Sequence, residues 1–241
     1  MADFQTSVYS ESAYLSGSAL GFNTIRVRAG SPLTAFLTPY FQVGQELTTI
    51  QGRVDNLDGA SSYAYTGPGV SFSLGKFTLY GEARFRQFYS NVDPNAPGMG
   101  VFDGRGLLVY GDFFSHPFFG TSEFDWFAEL YSETVFSSAD SDNVINTDFA
   151  RAGIRWKALN RLNVDFFVEP FLTLDRIRHY YYNRTDFKPS LRVQYYTESF
   201  SIGIIGSYMW NQYFARGDYE PNPFLHTPAG FRGLLVVGAS L

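Results

Sequence analysis

The sequence predicts an antiparallel up-and-down β-barrel that spans a bilayer with about twelve strands, on three observations. Apolar and polar residues alternate with period two along segments longer than an ordinary globular strand of about 5–6 residues. Connections alternate between short and long down the chain. Aromatics make up 19% of the residues, with 17 Tyr and 25 Phe, a load that fits the interfacial girdles of a membrane barrel. The alternation is clearest from Leu162 to Asp175. Leu162, Val164, Phe166, Val168, Pro170, Leu172 and Leu174 share one parity, against Asn163, Asp165, Phe167, Glu169, Phe171, Thr173 and Asp175. One face is wholly apolar and the other polar and aromatic, the division that lipid outside and a polar lumen inside require. Pro170 donates no N–H to a ladder, which leaves room for a kink or bulge on the apolar face.

Taken in order, Phe4 to Leu15 is strand-like with weak parity, and a short connection near Gly17 follows. Leu20 to Ala29 sets Ile25, Val27 and Ala29 against Arg26 and Arg28, and Gly30-Ser31-Pro32 makes a tight turn into Leu33 to Val43. The polar stretch Thr48 to Ala60 is a long loop. Ser62 to Leu74 and Phe77 to Tyr89 form a hairpin, where Gly75 at the first central position suits a type II′ turn. Its second strand opposes Phe77, Leu79, Gly81, Ala83 and Phe85 to Tyr80, Glu82, Arg84 and Arg86. After a Pro- and Gly-rich loop, Val101 to Phe114 is a strand with Leu107, Val109, Gly111 and Phe113 outward and Tyr110 and Asp112 opposite.

A turn at Ser115-His116-Pro117 leads to Phe124–Phe136, with Asp125, Glu129, Tyr131 and Glu133 on its polar face. Ser137 to Asn146 is a loop. Thr147 to Ala158 sets Ala150, Ala152, Ile154 and Trp156 against Arg151, Arg155 and Lys157, then turns at Leu159-Asn160-Arg161 into the Leu162 strand. A loop from Arg176 to Thr185 precedes Phe187 to Tyr196, whose polar face carries Lys188, Arg192 and Gln194. Phe200 to Phe214 is apolar on both faces, with Gly203, Ile205 and Met209 inward, and Gly230 to Leu241 closes the chain. A sandwich with Greek-key links has no reason to sort its connections by length, as a membrane barrel does. No boundary or fixed repeat interrupts residues 1–241, so one barrel domain is expected.

Composition removes several function classes. Cysteine is absent, which argues against disulfide staples, thiolate metal sites and cysteine nucleophiles. A net charge of −5 supplies no basic footprint for nucleic acid. No P-loop, dinucleotide motif or metal-ligand spacing is present, so no cofactor and no metal are expected. No apolar run reaches the roughly 18–20 residues of a spanning helix.

Pairing arithmetic gathers the inward charges into a ladder. Centring the loop 137–146 sets Glu133 opposite Arg151 and Glu129 opposite Arg155. Centring the turn at Asn160 sets Arg151 opposite Glu169 and Arg155 opposite Asp165, with Arg192 beside Glu169. Such pairs either rigidify a wall whose charges cannot face lipid or tune selectivity along a permeation path. Arg26, Arg28, Glu82, Arg84 and Arg86 add charge elsewhere on the wall. Phe127, Tyr131, Phe167 and Phe171 either fill a narrow lumen or stack against sugar rings.

The whole pattern resembles bacterial outer-membrane β-barrel proteins, above all twelve-stranded porin-like channels, and the aromatic-rich strands are similar to those of exopolysaccharide-secretion porins. The final run from Phe231 to Leu241 alternates as that class does, although such strands commonly end in an aromatic. The resemblance implies an outer-membrane location, a bilayer with lipopolysaccharide as partner, and both termini on the periplasmic, short-turn side. Met1-Ala2-Asp3 enters patterned sequence directly, so a mature form without signal peptide is expected. The function implied is a channel for small polar solutes or oligosaccharides. The alternative is a plugged barrel working as an anchor or adhesion scaffold through its loops at 176–185 and 215–227. Catalysis finds little support, because His116, His179 and His226 form neither a Ser-His-acid set nor the His-x-Ser arrangement of outer-membrane phospholipases, and an outer-membrane lipid-modifying enzyme is left as the minor alternative.

Overall fold

The computed structural model describes residues 4–15, 20–50, 62–90, 101–117, 120–137, 143–176, 183–213 and 229–240. They form twelve strands: β1 (Gln5–Leu15), β2 (Leu20–Gly30), β3 (Leu37–Ile50), β4 (Ser62–Leu74), β5 (Phe77–Ser90), β6 (Val101–Pro117), β7 (Phe124–Ser137), β8 (Asn143–Leu159), β9 (Leu162–Asp175), β10 (Arg184–Tyr196), β11 (Phe200–Tyr213) and β12 (Ala229–Ser240). Each pairs antiparallel with its sequence neighbour, and β1 closes on β12, with Val8 opposite Ala239 and Leu15 opposite Arg232. Closure leaves no strand edge among the described residues, the condition for a sheet in hydrocarbon.

Period-two alternation becomes inside and outside. On β11, Ile204 faces out at 62% exposure and Ile205 faces in at 5%. Aromatic rings on the outer face cluster near both barrel ends. Phe36 with Phe72 (5.4 Å), Phe77 with Tyr110 (4.6 Å) and Phe124 with Trp156 (6.3 Å) sit near the short turns. Phe85 with Phe102 (5.3 Å), Phe187 with Trp210 (6.2 Å) and Tyr208 with Phe231 (5.1 Å) sit near the other end. These two belts account for much of the aromatic excess, since amphipathic rings favour the interfacial depth.

The short turns are built locally. Gly75 takes a φ of 58° between β4 and β5, and Arg161 takes 73° between β8 and β9, a left-handed region that costs a non-glycine residue about 1–2 kcal/mol. Between β2 and β3 the turn is wider than the tripeptide at Gly30 suggests. The Leu33 N–H donates to the Leu37 carbonyl at 2.9 Å, and Thr34 Oγ1 accepts the N–H groups of Phe36 (3.3 Å) and Leu37 (3.0 Å). β3 therefore starts at Leu37, not Leu33, and runs on to Ile50 into the stretch expected to be loop.

Two further expectations are overturned. β6 presents its faces the other way round: Leu107 is inward at 4% exposure and Phe102 outward at 68%, while Tyr110 meets Phe77 on the outside. Asp103 and Arg105 carry the true inward parity, and the Leu107–Val109 run masked it. His116 and Pro117 lie within β6, opposite Trp126 and Asp125 after a register shift, rather than in a turn. At Pro170 the register against β10 runs through unshifted, and against β8 it shifts only between Lys157 and Leu159, so no bulge forms there. The connections expected near Gly17, Asn56, Asn91, Tyr181 and Glu220, with His179 and His226, lie outside the described residues.

Val168 lies mid-strand on the outer face of β9 and Leu174 near its end. Val168→Arg is expected to cost about 2–4 kcal/mol of folding stability in lipid and Leu174→Arg about 0–1 kcal/mol. Urea titrations of vesicle-folded barrel, read by heat-modifiable gel migration, measure both; equal costs would contradict the orientation of β9.

Candidate functional site

The lumen holds two ionic networks, each assembled from the inward parity of consecutive strands. The first spans β7 to β10. Arg151 donates to Glu169 Oε2 at 2.6 Å and to Glu129 Oε2 at 3.1 Å. Arg155 forks onto both oxygens of Asp165 at 2.9 and 3.1 Å, the bidentate geometry that suits a guanidinium. Arg192 donates to Asp165 at 2.7 Å and, passing over β8 and β9, to Glu129 at 3.0 Å. Lys188 completes the set on Glu169 at 2.9 Å.

The expected ladder is thus gathered with three changes of partner. The register of β7 on β8 places Glu129 opposite Arg151 and Asp125 opposite Arg155, so Glu133 faces Thr147 instead of Arg151. The cause is strand length: Asn143–Asn146 continue β8 and pair with Thr134–Ser137, with Asn146 Nδ2 donating to Thr134 Oγ1 at 3.2 Å. The connection shrinks to residues 138–142 and its centre moves. Arg192 sits opposite Asp165, and Lys188, not Arg192, sits opposite Glu169.

The second network spans β2 to β7 and was half seen in the sequence. Glu82 accepts from Arg28, from Arg105 at 3.1 Å and from the Tyr40 hydroxyl at 2.7 Å. Arg105 also donates to Glu133 and, at 3.0 Å, to the Tyr131 hydroxyl, which itself donates to Glu133 at 2.5 Å. Arg86 donates to Asp103 at 2.9 Å, with Arg84 at 3.7 Å from the same carboxylate. Arg105 and Asp103 escaped notice because β6 was faced the wrong way. The side chains of Glu82, Asp103 and Asp165 are fully buried. A buried carboxylate without a partner costs several kcal/mol, and each of these three is shared by two cations.

Inward glycines make room for this packing. Across β3 and β4, Gly44 faces Tyr65 and Gly69 faces Tyr40. A Cβ on Gly69 would stand 2.5 Å from the Tyr40 ring, and one on Gly44 would stand 2.5 Å from that of Tyr65. The Gly69 gap is what lets Tyr40 lie along the wall with its hydroxyl on Glu82. Gly153, flanked by Phe127 on β7 and Phe167 on β9, instead lets the β9 backbone come close, since a Cβ there would collide with the Phe166 carbonyl oxygen.

The four aromatic residues expected in the lumen are all engaged there. Phe127 and Phe167 meet edge to face at 5.8 Å, with Arg155 and Arg192 over Phe127 at 5.2 and 5.3 Å and Arg151 over Phe167 at 5.7 Å. Lys188 caps Phe171 at 4.0 Å, and Tyr131 stacks on Phe149 at 4.6 Å. Phe127 and Phe167 also join Ile205 and Leu234 in a buried apolar cluster with Ala13 and Val236 alongside. The inward apolar residues of β11 and β12 therefore pack against aromatics of β7 and β9 across the lumen.

No protein-family model matches this chain, and no curated protein sequence matches it. Solved structures do. An outer-membrane channel from Pseudomonas putida F1 superposes on 100% of this chain and 96% of its own, with a TM-score of 0.52 at 11% identity. The beta domain of the Bordetella autotransporter BrkA matches over 100% of both chains, with a TM-score of 0.51 at 12% identity. The NanC porin covers 97% of this chain and 100% of its own, with a TM-score of 0.47 at 9% identity. The fold is thus that of outer-membrane β-barrels, and since the first two carry different names, the barrel alone does not choose a function.

Asp165 is the carboxylate on which Arg155 and Arg192 converge. Asp165→Asn is expected to lower stability by about 3–5 kcal/mol, and adding Arg155→Gln should cost less than the sum of the single changes. Strict additivity in urea titrations would show that the two side chains do not share a network.

Proposed function

We propose that this protein is an integral outer-membrane barrel that conducts small polar solutes along a narrow, charged lumen, with its short turns and both termini on the periplasmic side. One observation carries the reading. The ionised groups of β2 and β5–β10 are turned inward and held as partnered networks at a desolvation cost that an anchor with an apolar core would not incur. Opposed charges along a wall are the means by which pores discriminate among ions.

Exposure supports a path along one side of the lumen. Inward groups of β9 are nearly all buried, as are Asp186, Lys188 and Arg192 of β10, whereas Tyr9, Glu11, Arg26 and Arg232 on the arc β12–β1–β2, like Glu129 and Arg151 on β7 and β8, remain partly open to solvent. A polar solute would run along that arc, past the packed wall centred on β9.

A second reading, the plugged barrel serving as a scaffold, is favoured by the cluster of Phe127, Phe167, Ile205 and Leu234 that bridges the lumen. Planar-bilayer recording separates the two. The channel reading predicts discrete conductance steps, larger steps when Glu129 and Arg192 are both changed to Ala, and a shift of reversal potential toward cations when Arg151 and Arg155 are changed to Gln. A silent barrel that migrates as folded on gels would sink the channel and leave the scaffold.

A further inference from the structure

The basic groups of the second network outnumber the carboxylates they share. Arg28, Arg84, Arg86 and Arg105 divide Glu82, Asp103 and Glu133 among them. Arg26, on the same inward face of β2, adds a fifth guanidinium and has no carboxylate within ion-pair distance among the described residues; its contact is the Tyr9 ring at 5.2 Å. The carboxylates nearest it along the neighbouring strands, Glu11 and Glu46, lie one rung away opposite Thr24. Glu11 takes the Tyr9 hydroxyl. Arg28 and Arg105 lie within electrostatic reach of Arg26, as does the Glu82 carboxylate that those two arginines already share.

Its place on the wall is equally specific. Tyr9, Arg26, Gly44 and Tyr65 form one rung across β1 to β4. The missing side chain at Gly44 admits the Tyr65 ring, leaving Arg26 flanked by a tyrosine on either side. Tyr9 and Arg26 lie on the partly open arc of the lumen, and Tyr65 is buried at the far end of the rung.

We propose that Arg26, flanked by Tyr9 and Tyr65, is a binding site within the lumen for the carboxylate of a small anionic solute such as an acidic sugar. A guanidinium presents a fixed fork that matches a carboxylate, and here no protein carboxylate takes that fork. An incoming anion supplies Arg26 with the carboxylate it lacks among the described residues, while the tyrosine rings bound the site on two sides. The inference rests on the lumen being solvent-filled along this arc, as the proposed function holds.

Calorimetric titration of detergent-folded barrel with glucuronate, and with glucose as the neutral control, tests it without requiring conductance. Wild type is expected to bind glucuronate and not glucose. Arg26→Gln should weaken glucuronate by about tenfold or more while gel migration stays that of the folded barrel. Arg26→Lys, which keeps the charge and loses the fork, should fall between the two and serves if the Gln variant fails to fold. No glucuronate binding by wild type, equal binding of glucose, or unchanged binding in the Arg26 variants would overturn the site. Bilayer recording keeps the two readings apart. A conducting wild type whose glucuronate binding ignores Arg26 leaves the channel and removes the site. A silent barrel that binds glucuronate through Arg26 leaves the site and removes the channel.

Discussion

A peptide group inside hydrocarbon has no water to bond, and the pairing of β1 with β12 is what satisfies the last open edge of this sheet. Once the sheet is closed, its period of two divides every strand between lipid and lumen, with no third environment. All apolar residues of one parity go out, and whatever remains goes in. The inward set here includes more charge than an apolar packing needs, so the second constraint follows from the first. Every inward carboxylate must find its cation inside the barrel. Glu129, Glu82 and Asp165 do so by taking donors from more than one strand, and Arg192 and Arg28 reach past neighbouring strands to supply them.

Size and charge together explain the glycines and aromatics of the wall. An arginine that crosses the lumen needs somewhere for its stem and its guanidinium plane to rest, and the rings of Phe127, Phe167, Tyr40 and Tyr80 supply those surfaces. The rings in turn need space against the backbone, which Gly69 provides for Tyr40 and Gly44 for Tyr65. Aromatics on the outer face serve a different purpose, marking interfacial depth at each end. One composition figure, the high aromatic content, therefore conceals two separate physical demands.

Parity was legible in the sequence because it is local: Leu162–Asp175, Phe77–Phe85 and Ile25–Ala29 declare their faces without reference to any neighbour. Register was legible only where a turn is tight. The two-residue turn at Asn160-Arg161 fixed Arg155 on Asp165, whereas the polar stretch 137–146 hid four further strand residues and displaced Glu133 from Arg151. β6 failed for another reason. Its glycines weaken the alternation and the Leu107–Val109 run points the wrong way, whereas Phe102 outward and Asp103 and Arg105 inward carry the true parity. Contacts that skip strands, such as Arg192 to Glu129, were beyond reach, because adjacent-strand arithmetic cannot see across a lumen.

The bonds that skip strands also have a mechanical meaning. They run from β2 to β5 and from β7 to β10, and a looser one at 3.9 Å joins Arg232 on β12 to Glu169 on β9. Each works as a strut across a hoop, holding the arc beneath it at fixed curvature. Among the described residues none spans β12–β1–β2, so stiffness is distributed unevenly around the circumference. The seam where the chain's two ends meet is held instead by its ladder, by the Arg232–Glu11 pair at 3.8 Å, and by Ala13 and Val236 packed against the apolar cluster.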